Sequence, residues 1–73
     1  MNNAIENARK TNTDFYLPSN GVTCFRSLDA TDIAAWLRAE GYEVVSNIDT
    51  GRNGLAKTSC GVAVSSNGHV SFN

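Results

Sequence analysis

Residues 29–41 read DATDIAAWLRAEG, and this stretch decides the fold. Ala30, Ile33, Ala34 and Leu37 recur at the spacing of one helix face, with Trp36 flanking that stripe. Asp29 stands where a side-chain oxygen can accept from the free N–H groups of a first turn. Asp32 adds negative charge at the positive end of the helix dipole. Arg38 lies near the other end, and Gly41 supplies the left-handed residue that stops a helix. The pattern predicts a helix over about 30–40.

Strand signals lie on both sides. Upstream, FYLPSNGVTCFRSL holds two β-rich runs, Phe15–Leu17 and Val22–Ser27, around Pro18 and Asn20-Gly21. That is a hairpin pattern. Downstream, YEVVSNI predicts a strand with Tyr42, Val44, Ser46 and Ile48 on one face. LAKTSCGVAVS predicts a second, longer strand alternating at Cys60, Val62 and Val64, with Gly61 marking a bulge or a close backbone approach. Asn67-Gly68 then turns the chain into HVSF. The expected order is β-β-α-β-β-β: an α+β fold, with an antiparallel-rich sheet of four to five strands and one helix packed on one face. The opposite sheet face is left for solvent or a partner. Residues 1–13 are polar around Ile5 and suit either a short helix over about 4–10 or a frayed arm. Residues 14–73 form a single domain.

At 73 residues the chain makes one small domain, whose core supplies only ~3–5 kcal/mol without a staple. Its 41% hydrophobic and 18% charged content fits a folded chain rather than a highly charged disordered one. No apolar run approaches a membrane span, and no charged-then-apolar leader opens the chain, so a cytoplasmic location is expected. Cys24 and Cys60 lack metal-ligand spacing; buried free thiols are expected, with a bridge between neighbouring strands as the alternative. No metal or other cofactor is expected.

Residues 51–58, GRNGLAKT, fall one residue short of a phosphate loop, with Ala56 where the last glycine belongs. Such a loop also needs a helix starting at its Lys-Thr, and TSCGVAVSS is β-branched and alternating. TGRNGL, residues 50–55, reads instead as a hairpin loop punctuated by Asn53-Gly54, with Arg52 and Lys57 projecting near its ends. His69 is the single histidine. It has serines nearby in sequence but no neighbouring acid to orient it, so no catalytic residue is assigned.

Charge is uneven. Residues 14–50 carry six acids against Arg26 and Arg38, a net of −4, while residues 51–73 net +2. An acidic segment without catalytic groups suits a basic partner surface. The leading expectation is a non-enzymatic module that binds and occludes a larger protein or ribonucleoprotein complex, using Asp29, Asp32, Glu40 and Glu43. A second is a nucleic-acid binder using Arg26, Arg52 and Lys57. A third is a ribonuclease relying on His69. The open sheet face, or an exposed edge strand such as HVSF, also allows a homodimer.

The stretch AAWLRAEGYEVV, residues 34–45, followed by strands, is similar to the opening of the small HicA toxins. That resemblance implies a double-stranded-RNA-binding-like fold and mRNA cleavage through a histidine in a Gly-Ser-His-type strand. Here the corresponding strand reads KTSCGVAV, and His69 comes one strand later. In size, slight acidity and lack of an active site, the chain also resembles the inhibitors that phages encode against host defences, including anti-CRISPR proteins. That resemblance implies a host-cytoplasmic inhibitor.

Overall fold

The computed structural model describes residues 3–17, 29–50 and 53–72. These form helix α1 (Asn3–Thr11), strand β1 (Phe15–Tyr16), helix α2 (Ala30–Ala39), and strands β2 (Val44–Thr50), β3 (Asn53–Thr58), β4 (Ala63–Ser65) and β5 (His69–Ser71). The sheet is wholly antiparallel, in the order β1-β5-β4-β3-β2. The class is α+β, as the sequence predicts, with element order α-β-α-β-β-β-β among the described residues. Strand Val22–Ser27, its Asn20-Gly21 turn and Cys24 lie outside them. The described neighbour of β1 is β5, through Phe15↔Val70 and Tyr16↔His69.

Helix α2 follows its sequence signals closely. The Asp29 carboxylate accepts from the Asp32 N–H at 2.8 Å, and the Asp29 carbonyl accepts from the Ile33 N–H. At the other end Gly41 takes φ 96°. The Gly41 N–H donates to the Arg38 carbonyl and the Tyr42 N–H to that of Leu37. This is a Schellman stop, and it brings Tyr42 down beside Leu37 in the core. Helix α1 ends the same way, with Asn12 at φ 52° and bonds from Asn12 to Arg9 and from Thr13 to Ala8. Ile5 fixes α1 to the core, and the Tyr42 hydroxyl donates to Glu6 Oε2 at 2.7 Å.

The core lies between α2 and one sheet face. Ile5, Ile33, Ala34, Leu37, Tyr42, Ala56, Val62, Val64 and Val70 form one buried cluster. Ala56, Val64 and Val70 are cross-strand partners, so they share the helix-facing side.

Three sequence expectations are corrected. First, LAKTSCGVAVS is not one strand: residues 59–62 turn the chain between β3 and β4. Gly61 at φ 92° permits the turn. The Thr58 hydroxyl holds it, accepting from the Val62 N–H at 3.1 Å while donating to the Val62 carbonyl at 3.0 Å. Cys60 therefore sits exposed in a turn as a free thiol rather than buried in a strand. Second, β2 contains a bulge. Val44 pairs with Thr58 and Ser46 with Lys57, leaving Val45 as an extra residue. A bulge shifts the two-residue period by one. Asn47 is thereby aligned with core-facing Ala56, and Ile48 goes to the opposite face, where it is 54% exposed. Third, HVS is an internal strand between β1 and β4, so it offers no free edge.

Gly54 lies where β3 meets α2. A Cβ there would stand 2.5 Å from the Ala30 nitrogen and 2.9 Å from its Cα. The Gly54 N–H donates to the Ser66 hydroxyl, and its carbonyl accepts from the Ser66 N–H. Backbone thus presses on backbone from one side while the other strand holds it in place. Gly54→Ala should cost ~1–3 kcal/mol by overpacking, read as a lowered urea midpoint with an unchanged slope.

Candidate functional site

The four acids singled out by the sequence do not form one patch. Asp29 and Asp32 stand at the start of α2, and Glu40 and Glu43 at its end. Ten helical residues put about 15 Å between the two ends. The fold adds a fifth acid to the first group: Asp49 Oδ1 accepts from the Ala30 N–H at 2.8 Å. Two carboxylates thus satisfy free donors of the first turn, Asp29 from within the chain's own cap and Asp49 from β2. The sequence pattern hid Asp49 because the Val45 bulge changes which face it occupies.

These five acids share one electrostatic property. Among the described residues Arg9 pairs with Glu6, and His69 Nε2 meets Asp14 Oδ2, each at 3.4 Å, the second being an ion pair only with a protonated imidazole. Asp29, Asp32, Glu40, Glu43 and Asp49 have no described cation partner, and all lie on α2, its N-cap, β2 or the segment joining the two elements. The joining segment turns back, so α2 and β2 run in opposite directions. Asp49 near the end of β2 therefore meets Ala30 at the start of α2. The same half of the molecule carries exposed apolar side chains: Val45 is 60% exposed and Ile48 54%.

On β2, Val45, Asn47, Ile48 and Asp49 are all exposed, although a strand alternates its side chains between faces. Side-chain exposure on both faces leaves both sides of β2 accessible. Among the described residues β2 is the last strand on its side of the sheet. Nothing described pairs with its outer edge.

Of the cations proposed for nucleic acid, Lys57 lies exposed on β3, paired with Ser46 and Ala63 on the face away from α2. Arg26 and Arg52 lie outside the described residues, so no joint cationic surface is defined. Lys57 and Thr58 end a strand, and no helix starts there, as the reading of GRNGLAKT as something other than a phosphate loop requires.

His69 does acquire an acid, contrary to its sequence neighbourhood. Pairing of β1 with β5 brings Asp14 Oδ2 to 3.4 Å from His69 Nε2. The Tyr16 ring lies 5.1 Å from the imidazole, tilted by 40°. The Ser65 hydroxyl bonds to Asn67 and to the His69 carbonyl, not to the imidazole. The contact joins residues 55 positions apart, and only the strand pairing reveals it. No group of three or more His, Cys, Asp or Glu among the described residues is arranged to hold a metal. No described helix is long and apolar enough to cross a membrane.

The chain matches no family model, no curated protein and no solved structure with which it was compared.

The two groups of acids separate by their stability cost. Asp29→Ala and Asp49→Ala each remove an acceptor from a helix donor and should cost ~1 kcal/mol. Glu40→Gln and Glu43→Gln remove charges with no described partner and should stay within ~0.5 kcal/mol. Urea unfolding of the four variants makes the comparison.

Proposed function

We propose that this chain is a non-enzymatic interaction module, an inhibitor that binds and occludes a basic surface of a larger protein or ribonucleoprotein complex. One observation carries the reading: five of the seven acids have no described cation partner, and all five fall on the α2–β2 half. Carboxylates with no described cation partner, gathered on one half of a small domain, steer it toward positive surfaces and disfavour negative ones. The exposed Val45 and Ile48 add apolar area beside those charges, giving contacts that exclude water once the charges have aligned the partners. The likeness in size and character to phage-encoded host-defence inhibitors is consistent with this reading.

Asp29 belongs to the helix cap, so the test leaves it in place. A variant with Asp32→Asn, Glu40→Lys and Glu43→Lys should keep its helical circular dichroism and its melting temperature within a few degrees. It should lose at least about tenfold in affinity for a partner captured from nuclease-treated lysate of the native host. Unchanged affinity would exclude the acidic half as the binding surface.

The Asp14–His69 contact favours a second reading, a HicA-like ribonuclease. A carboxylate 3.4 Å from one imidazole nitrogen favours the form in which that nitrogen carries the proton, leaving the other to take a proton from a ribose hydroxyl. This reading requires cleavage of single-stranded RNA that His69→Ala abolishes and Tyr16→Phe retains. RNA left intact by the unaltered chain, or cut equally by the His69→Ala variant, would dismiss it.

A further inference from the structure

We propose that the outer edge of β2 is a docking strand for an extended segment of the partner that carries cations at both ends and apolar residues between. The inference rests on the binding-module reading and specifies how that binding occurs. Its basis is the juxtaposition of a strand edge that has no described partner with acids at both of its ends. Beyond the β1–β5–β4–β3 pairings, β2 presents one edge with no described partner. Four of its residues, Val45, Asn47, Ile48 and Asp49, are exposed. Alternate N–H and C=O groups along such an edge point outward and can add another strand.

The charges define what that strand should carry. Glu43 precedes β2 and follows Glu40 by three residues, while Asp49 near its end joins Asp29 through the Ala30 contact at the start of α2. Six residues of extended chain separate Glu43 from Asp49, about 20 Å. A segment lying along the edge would therefore meet carboxylates at each end and Ile48 and Val45 between them. The Val45 bulge interrupts the regular ladder at the start of β2, so the added hydrogen bonds should run over Ser46–Asp49. A second copy of this chain fits less well, because its own β2 would bring the same acids to the same edge.

The test uses the intact protein and three synthetic peptides. They are Lys-Val-Thr-Val-Thr-Val-Lys, its counterpart with Glu at both ends, and the Lys-flanked peptide with alternate backbone nitrogens methylated. Binding is followed by amide chemical shifts and hydrogen exchange. The Lys-flanked peptide should slow exchange of the outward-pointing amides within Ser46–Asp49 by about tenfold or more at saturation. The Glu-flanked peptide should bind at least about tenfold more weakly, and methylation of the edge-facing nitrogens should abolish binding. Ile48→Lys, at an exposed position, should weaken the Lys-flanked peptide while leaving the fold intact.

Shifts confined to another strand, or equal binding of both flanking charges, would overturn the edge assignment. So would a failure of every peptide to bind at millimolar concentration. The broader binding-module reading would survive any of these if the protein still captured a partner through Glu40 and Glu43. Protection of Ser46–Asp49 without peptide, rising with protein concentration, would assign the edge to a second copy and overturn the proposal.

Discussion

The position of α2 depends on one close contact. The first turn of the helix rests backbone to backbone on Gly54, and Asp49 from the adjacent strand accepts the Ala30 N–H. A helix start has several donors without internal partners, and this one fills them from two sources. Asp29 reaches forward to Asp32, and Asp49 reaches across from β2. Gly54 is itself fixed by Ser66 at the end of β4. One end of α2 is thus tied to β2 and β3, and through Ser66 to β4. The Schellman stop at Gly41 ties the other end to the start of β2. With both ends anchored, Ile33, Ala34 and Leu37 can only face the sheet.

This arrangement also governs what is left exposed. The helix lies over the helix-facing side of β2 and β3, and its acids collect at its two ends. Its antiparallel course relative to β2 then puts one acidic group beside each end of the edge strand. Asp29 and Asp49 serve the fold directly. Glu40 and Glu43 contribute through backbone groups, Glu40 at the helix cap and Glu43 through its carbonyl to Ser59. Their side-chain charges stabilise nothing described, and that surplus of charge motivates the interaction reading. The Asp14–His69 contact is of a different kind, a solvent-accessible approach across the β1–β5 seam.

Much of the fold was legible in the sequence, and the failures have local causes. Asp29, the Ala30–Ile33–Ala34–Leu37 stripe and Gly41 marked α2 almost to the residue, because caps and periodicity are local signals. The strand from 55 to 65 was misread because alternation continues through Cys60 and Val62 while the chain in fact turns. The turn is secured by the Thr58 hydroxyl, whose bonds to Val62 leave no periodic trace. The bulge at Val45 similarly preserves composition while reversing the faces of Asn47, Ile48 and Asp49. The Asn53-Gly54 pair looked like a turn but lies within β3, where glycine is needed for close approach to Ala30. The candidate acids were visible as charges, but their division into two groups, the recruitment of Asp49 and the meeting of Asp14 with His69 depend on long-range pairing. A single sequence carries no direct signal for such pairing.

Native-state amide hydrogen exchange on the free protein tests the central claim most directly, that α2 is seated by Asp49 and Gly54 while the outer edge of β2, which has no described partner, is open to a docking strand. The account predicts that the Ala30 amide exchanges as slowly as those of the β3 and β4 core. Along β2, protected amides facing β3 should alternate with unprotected ones facing outward. Rapid exchange at Ala30 would contradict the seating of the helix, and uniform protection along β2 would contradict the open edge.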